Sequence, residues 1–87
     1  METDEYQISL SRELKVCKEK IRKLRKSLQT MEVKHGMATA KFLEEYRNGA
    51  FPSGNKDADK WIWLYEALGA WEEREREFNE ILSRFRG

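Results

Sequence analysis

Residues 14–31 read LKVCKEKIRKLRKSLQTM, and the spacing of their apolar positions decides the fold. Leu14, Cys17, Ile21, Leu24, Leu28 and Met31 follow one another in steps of 3, 4, 3, 4 and 3. Leu10 extends the series four residues upstream. In heptad terms Leu10, Cys17, Leu24 and Met31 occupy d, and Leu14, Ile21, Leu28 and His35 occupy a. A narrow apolar seam in unbroken register predicts one long helix in a coiled-coil-like contact. Neither proline nor glycine interrupts residues 1–35. Thr3, followed by Asp4 and Glu5, is the expected start, a capping residue and then acids near the positive helix end. Gly36 is the first breaker, with Lys34 and His35 just before it, where positive charge suits a helix C-terminus.

A second, short helix is expected at about 38–47, with Phe42, Leu43 and Tyr46 on one face. A loop follows over about 48–57, where Asn48-Gly49 and then Pro52, Ser53, Gly54 and Asn55 gather. Asp57 or Asp59 is expected to cap the next helix, at about 58–86. Trp61, Leu64, Leu68, Trp71, Phe78, Leu82 and Phe85 repeat the seam spacing there, broken only by Glu75. Gly69 is its weak point. The long helices, at about 5–35 and 58–86, are matched in length, roughly 45 Å each by the helical rise. The expected fold is therefore all-α: a single helical domain over residues 1–87, built as a long antiparallel two-helix hairpin with a short third helix in the connector. Trp61 then falls near Met31 and His35, and Phe85 near Leu10. A glutamate at Leu24 is expected to abolish folding.

Charge agrees with this pairing. Residues 11–35 hold nine basic and three acidic side chains, a balance of +6, while residues 61–87 hold six acids and four arginines, a balance of −2. Exposed pairs contribute only a few tenths of a kcal/mol each, about the scale measured for surface ion pairs, so the seam carries the stability. The whole chain of 87 residues has a net charge of +1 and no strong field towards nucleic acid or membrane. Its 38% charged and 39% apolar content suits long helices with narrow stripes rather than a thick core. One cysteine excludes an intrachain disulfide framework and a paired-cysteine metal site. The acidic, polar N-terminus is unlike a signal peptide, and no run approaches the roughly 20 apolar residues of a membrane span. A cytoplasmic protein with no membrane contact is expected.

The segment HGMATAKFLEEYRNGAF, residues 35–51, and the later DADKWIWLYEAL, residues 57–68, carry a more specific pattern. It consists of Gly36-Met37, then Phe42, Tyr46 and Gly49, an acidic loop with Asp57 and Asp59, and a helix start with Trp61, Trp63 and Tyr65. This pattern resembles that of short bacterial and archaeal helical proteins, several of them like the antitoxin halves of toxin–antitoxin pairs. The resemblance spans about residues 35–68 and is a packing signature rather than a chemical one. One departure is Ala38, where a serine or threonine often follows the methionine; Thr39 is then the expected cap. What the resemblance implies is a protein that binds another small protein.

The residues supply no catalytic constellation. A hydrolytic triad needs a nucleophile, a base and an orienting group within reach. The chain has one histidine and one cysteine, 18 residues apart on the same expected helix, roughly 27 Å by the helical rise. Neither a phosphate-binding loop nor a glycine-rich elbow is present. Glu32 and His35 form one Glu-x-x-His without the second copy that a dimetal site in a bundle uses, and Glu44, Glu45, Asp57 and Asp59 read as caps and solvated charge. No enzyme activity, metal or cofactor is expected.

Two surfaces remain. Trp61, Trp63, Tyr65 and Trp71 are the candidate protein interface, because Trp and Tyr bury large area with few torsions. Ile62, Tyr65 and Ile81 widen the stripe of the last helix beyond what one contact uses, so a second copy, in a homodimeric four-helix arrangement, is the default expectation for covering the surplus, with another partner protein as the other. Lys18, Arg22, Lys23, Arg25 and Lys26 form the alternative, a nonspecific nucleic-acid contact through clustered positive charge. The leading reading is a noncatalytic protein-interaction module, antitoxin-like by the resemblance; the alternative is a nucleic-acid-associated accessory protein.

Overall fold

The computed structural model describes the backbone of residues 2–52 and 54–86, and the side chains of residues 8–52 and 54–84. It contains three helices: α1 (Glu2–His35), α2 (Thr39–Arg47) and α3 (Lys56–Arg86). The two long helices pack against each other as an antiparallel hairpin, and α2 sits in the connector. Cross-helix ion pairs report the direction. Arg25 meets Glu72 at 2.9 Å and Lys34 meets Asp57 at 2.8 Å, so α3 numbers fall as α1 numbers rise. The molecule measures 56 × 20 × 20 Å, one hairpin long and two helices wide. The start signal expected at Thr3 and the contact expected of Phe85 lie outside the described side chains.

The seam forms as the spacing dictates. Leu10, Cys17, Ile21, Leu28 and Met31 are buried, while Leu14 and Leu24 are half-buried. A two-helix layer has no third element above it along most of its length, so enclosure varies along the seam, from half-buried Leu14 and Leu24 to fully buried Cys17. The largest buried cluster forms at the closed end. There Leu28 and Met31 of α1, Phe42 of α2, and Ala58, Trp61 and Leu64 of α3 form one buried cluster.

Trp61 is the hub of that cluster. It is 1% exposed, and its indole stacks on Phe42 at 4.1 Å between centroids with the rings 2° from parallel. It also stacks on His35 at 5.3 Å. Its Nε1–H donates to the Thr39 hydroxyl at 3.0 Å, which satisfies the one polar atom that burying a tryptophan strands. One side chain thus ties together the end of α1, the start of α2 and the start of α3.

The helix ends differ from expectation in an instructive way. Thr39 does not cap α2. Its hydroxyl is committed to Trp61, and the N-cap residue Ala38 offers no side-chain bond. The Thr39 N–H is instead taken by the Glu32 carboxylate at 2.8 Å, so α1 caps α2 from outside. Replacing Glu32 with alanine will cost about 1 kcal/mol, the usual worth of a cap, measurable as a shift of the urea midpoint at constant slope. Nor do Asp57 and Asp59 cap α3. Asn55 does so, its Oδ1 accepting from the Ala58 N–H at 3.0 Å. Asp57 is turned towards Lys34 and His35.

At the end of α1 the Gly36 N–H donates to the Val33 carbonyl and the Met37 N–H to the Glu32 carbonyl, with Gly36 at φ 63°. This is a Schellman ending, whose left-handed residue strains any side chain but glycine's least. Gly49 ends α2 in the same way, at φ 79°. Gly69 is different. It lies within α3, is exposed, and a methyl group on it would meet nothing within 4 Å. Gly69→Ala will therefore stabilise the chain by about 1 kcal/mol and raise its melting temperature by about 4–8 °C in circular dichroism.

Candidate interaction surface

The four aromatics proposed for an interface part company in the fold. Trp61 lies in the core and supports the surface from beneath. Trp63 is 63% exposed and Tyr65 44% exposed, while Trp71 is half-buried. Two residues apart on a helix are about 200° apart around it, so Trp63 and Tyr65 project from different flanks of α3. Trp63 and Trp71, eight residues apart, return to the same flank and belong together.

Between them opens a groove of ≈ 290 Å³ along the line where the two long helices meet. Trp63, Leu64, Ala67 and Trp71 form the α3 side. Lys20, Lys23, Leu24 and Ser27 form the α1 side. The floor is apolar, the α3 wall is aromatic and the α1 rim is cationic. Among the described residues no carboxylate lines the groove. Arg74 stands over the Trp71 ring at 5.3 Å, a cation–π contact that orients the indole.

The five basic residues proposed for nucleic acid are all exposed, but they do not form one patch. Arg22 pairs with Glu19 of its own helix at 2.7 Å, a contact whose hydrogen bond also holds the Glu19 carboxyl below its ordinary range. Arg25 is spent on Glu72 across the hairpin. Lys18, Lys23 and Lys26 make no ion pair among the described residues. Of the five, only Lys23 borders the groove.

The remaining chemistry-bearing groups serve the fold. Burial, the largest influence on it, pushes the Cys17 thiol up, which keeps it a protonated, apolar filler of the seam. His35 ends the seam at the hairpin tip, stacked on Trp61, with its Nε2 3.2 Å from Asp57. A hydrogen bond from Lys34, aided by the charges of Lys34 and His35, holds the Asp57 carboxyl below its ordinary range. Among the described residues no three His, Cys, Asp or Glu side chains gather as a metal site would require, and no helix is long and apolar enough to cross a membrane.

The sequence pointed to the aromatic half of the groove and missed its other wall. Lys20, Lys23 and Ser27 flank the seam residue Leu24 on one side of α1, as Trp63 and Ala67 flank the seam residues Leu64 and Trp71 on α3. That shared flank was the available signal, but reading it needs the register of one helix against the other. Comparison of the chain with protein-family models, with curated proteins and with solved structures gives no match. The reading of this surface accordingly rests on its own residues.

Proposed function

We propose that this chain is a noncatalytic protein-binding module of the cytoplasm, an antitoxin-like partner of a small protein. The observation that carries the reading is Trp63, a large aromatic left 63% exposed on the wall of an apolar groove. Trp63 leaves most of its surface in water, whereas a tryptophan buried in an interface is among the strongest anchors a protein contact has. At the closed end Trp61, Phe42 and Thr39 fix α3 and so hold Trp63 at a defined position. A module of this kind uses a rigid surface and no nucleophile, metal or cofactor.

The alternative, a nonspecific nucleic-acid accessory, draws on Lys18, Lys23 and Lys26, which no carboxylate engages among the described residues. Arg22 and Arg25 are already paired, which weakens the field such binding uses.

Affinity capture from native-host lysate, with and without nuclease, separates the two. The proposal expects a stoichiometric small protein that survives nuclease. Recovery that disappears with nuclease would transfer the function to the basic face of α1.

A further inference from the structure

Resting on the reading of this chain as a protein-binding module, we infer that the groove between Trp63 and Trp71 is the docking site and that its occupant is an acidic amphipathic helix of another protein. Three properties of the groove select this occupant. Its floor of Leu24, Leu64 and Ala67 is aliphatic and offers no polar partner, so it takes apolar side chains. It runs along the junction of two parallel-sided helices, the shape into which a third helix lays its apolar face with anchors at i, i+3, i+4 and i+7. Its charged rim is Lys20 and Lys23 with no carboxylate in the lining, so the flank of the incoming helix that faces α1 carries Glu or Asp.

The same charges argue against the other occupants. Two copies of this chain seated groove on groove with α1 over α1 would bring Lys20 and Lys23 of each towards those of the other, and with α1 over α3 would set both lysine rims against Trp63 and Trp71 with no counter-charge among the lining residues. A single strand of nucleic acid would also meet lysines and a tryptophan face, but its sugars and phosphates would leave the aliphatic floor of Leu24, Leu64 and Ala67 without apolar side chains to cover it.

The test uses the full chain and two synthetic amphipathic helical peptides. Both have leucine along one face; one carries glutamate on the rest and the other lysine. Binding is read by fluorescence anisotropy, with oligo(dT) as a third probe and sedimentation velocity for self-association. The expected result is that the acidic peptide binds and the basic one does not. Trp63→Ala, at a solvated position whose loss leaves the helical spectrum unchanged, should weaken the acidic peptide by about tenfold, the size of an anchor's contribution. Lys20→Glu with Lys23→Glu should abolish the acidic peptide's binding and admit the basic one. Equal binding of both peptides, indifference to Trp63→Ala, preferential binding of oligo(dT) at these residues, or a dimer that Trp63→Ala dissociates would each overturn the assignment. The same variants are applied to the protein captured from lysate. A captured protein that ignores all three substitutions overturns the groove while leaving the binding module intact. If the parent chain captures no protein, the module reading fails and the groove assignment fails with it.

Discussion

Trp61→Ala will lower the stability of the chain by about 3–5 kcal/mol, the range for removing a buried aromatic. At about 0.05–0.15 kcal/mol per residue, a chain of this length holds roughly 4–13 kcal/mol in all. The variant therefore loses from about a quarter to all of that stability. The effect is large because Trp61 joins three elements. Its removal leaves Phe42 and His35 without their stacking partner and the Thr39 hydroxyl without its donor. Trp61→Phe separates the two contributions. It keeps an aromatic ring against Phe42 and loses the Nε1–H donor and some volume, and is expected to cost about 1–2 kcal/mol. Urea titration followed by circular dichroism measures both. Hydrogen exchange adds a local readout. α2 is only nine residues long, too short to hold as an isolated helix, so its amides should lose protection first. An alanine variant that melts like the parent would show that the closed end is not what holds the hairpin.

Ile21→Glu is the second large effect, expected at about 4 kcal/mol or more because it buries a carboxylate without a partner. Ile21 is 4% exposed, in the middle of the seam. The pH dependence carries a sign that simple misfolding would not. Burial raises the folded pKa of such a glutamate above its unfolded value, so the protonated form is the tolerated one. The deficit against the parent should be smallest below the unfolded glutamate pKa of about 4.3 and grow as pH rises through the raised folded value. Measuring the urea midpoint of both proteins at acid and neutral pH checks this. At Leu24, where the spacing alone predicts that a glutamate abolishes folding, the structure leads us to expect a smaller loss than at Ile21. Leu24 is half-buried and lines the groove beside Lys20 and Lys23, where a carboxylate reaches both water and positive charge. A seam position is as sensitive as it is enclosed, and enclosure varies along a two-helix layer.

What was legible in the sequence follows the same physics. The 3-4 spacing of Leu10 to Met31, the breaker at Gly36 and the loop around Pro52 suffice for the hairpin and its short connector helix, because each depends on local periodicity or backbone freedom. The placing of Trp61 beside Met31 and His35 follows from matched helix lengths alone. The caps were less legible. Thr39, Asp57 and Asp59 are all good capping residues, but each can also bond at a distance, and Trp61, Lys34 and His35 outcompete the local backbone for two of them. Glu32 as the cap of α2 and Asn55 as the cap of α3 depend on a chain turn and a cross-helix approach that propensity does not encode. Among the interface aromatics, the spacing already sets Trp61 and Trp71 in the seam and leaves Trp63 out of it. The helical turn assigns Trp63 and Tyr65 to different flanks, and the groove appears only when α1 supplies its lysines.

Photocrosslinking in the native host tests the central claim most directly. A photoreactive phenylalanine analogue is placed at position 63, on the groove wall, and separately at position 22, on an exposed face of α1 away from it. The account predicts one protein adduct of defined mass from position 63, little from position 22, and a peptide rich in glutamate or aspartate at the crosslinked site. A protein or nucleic-acid adduct from position 22 with none from position 63 would contradict it.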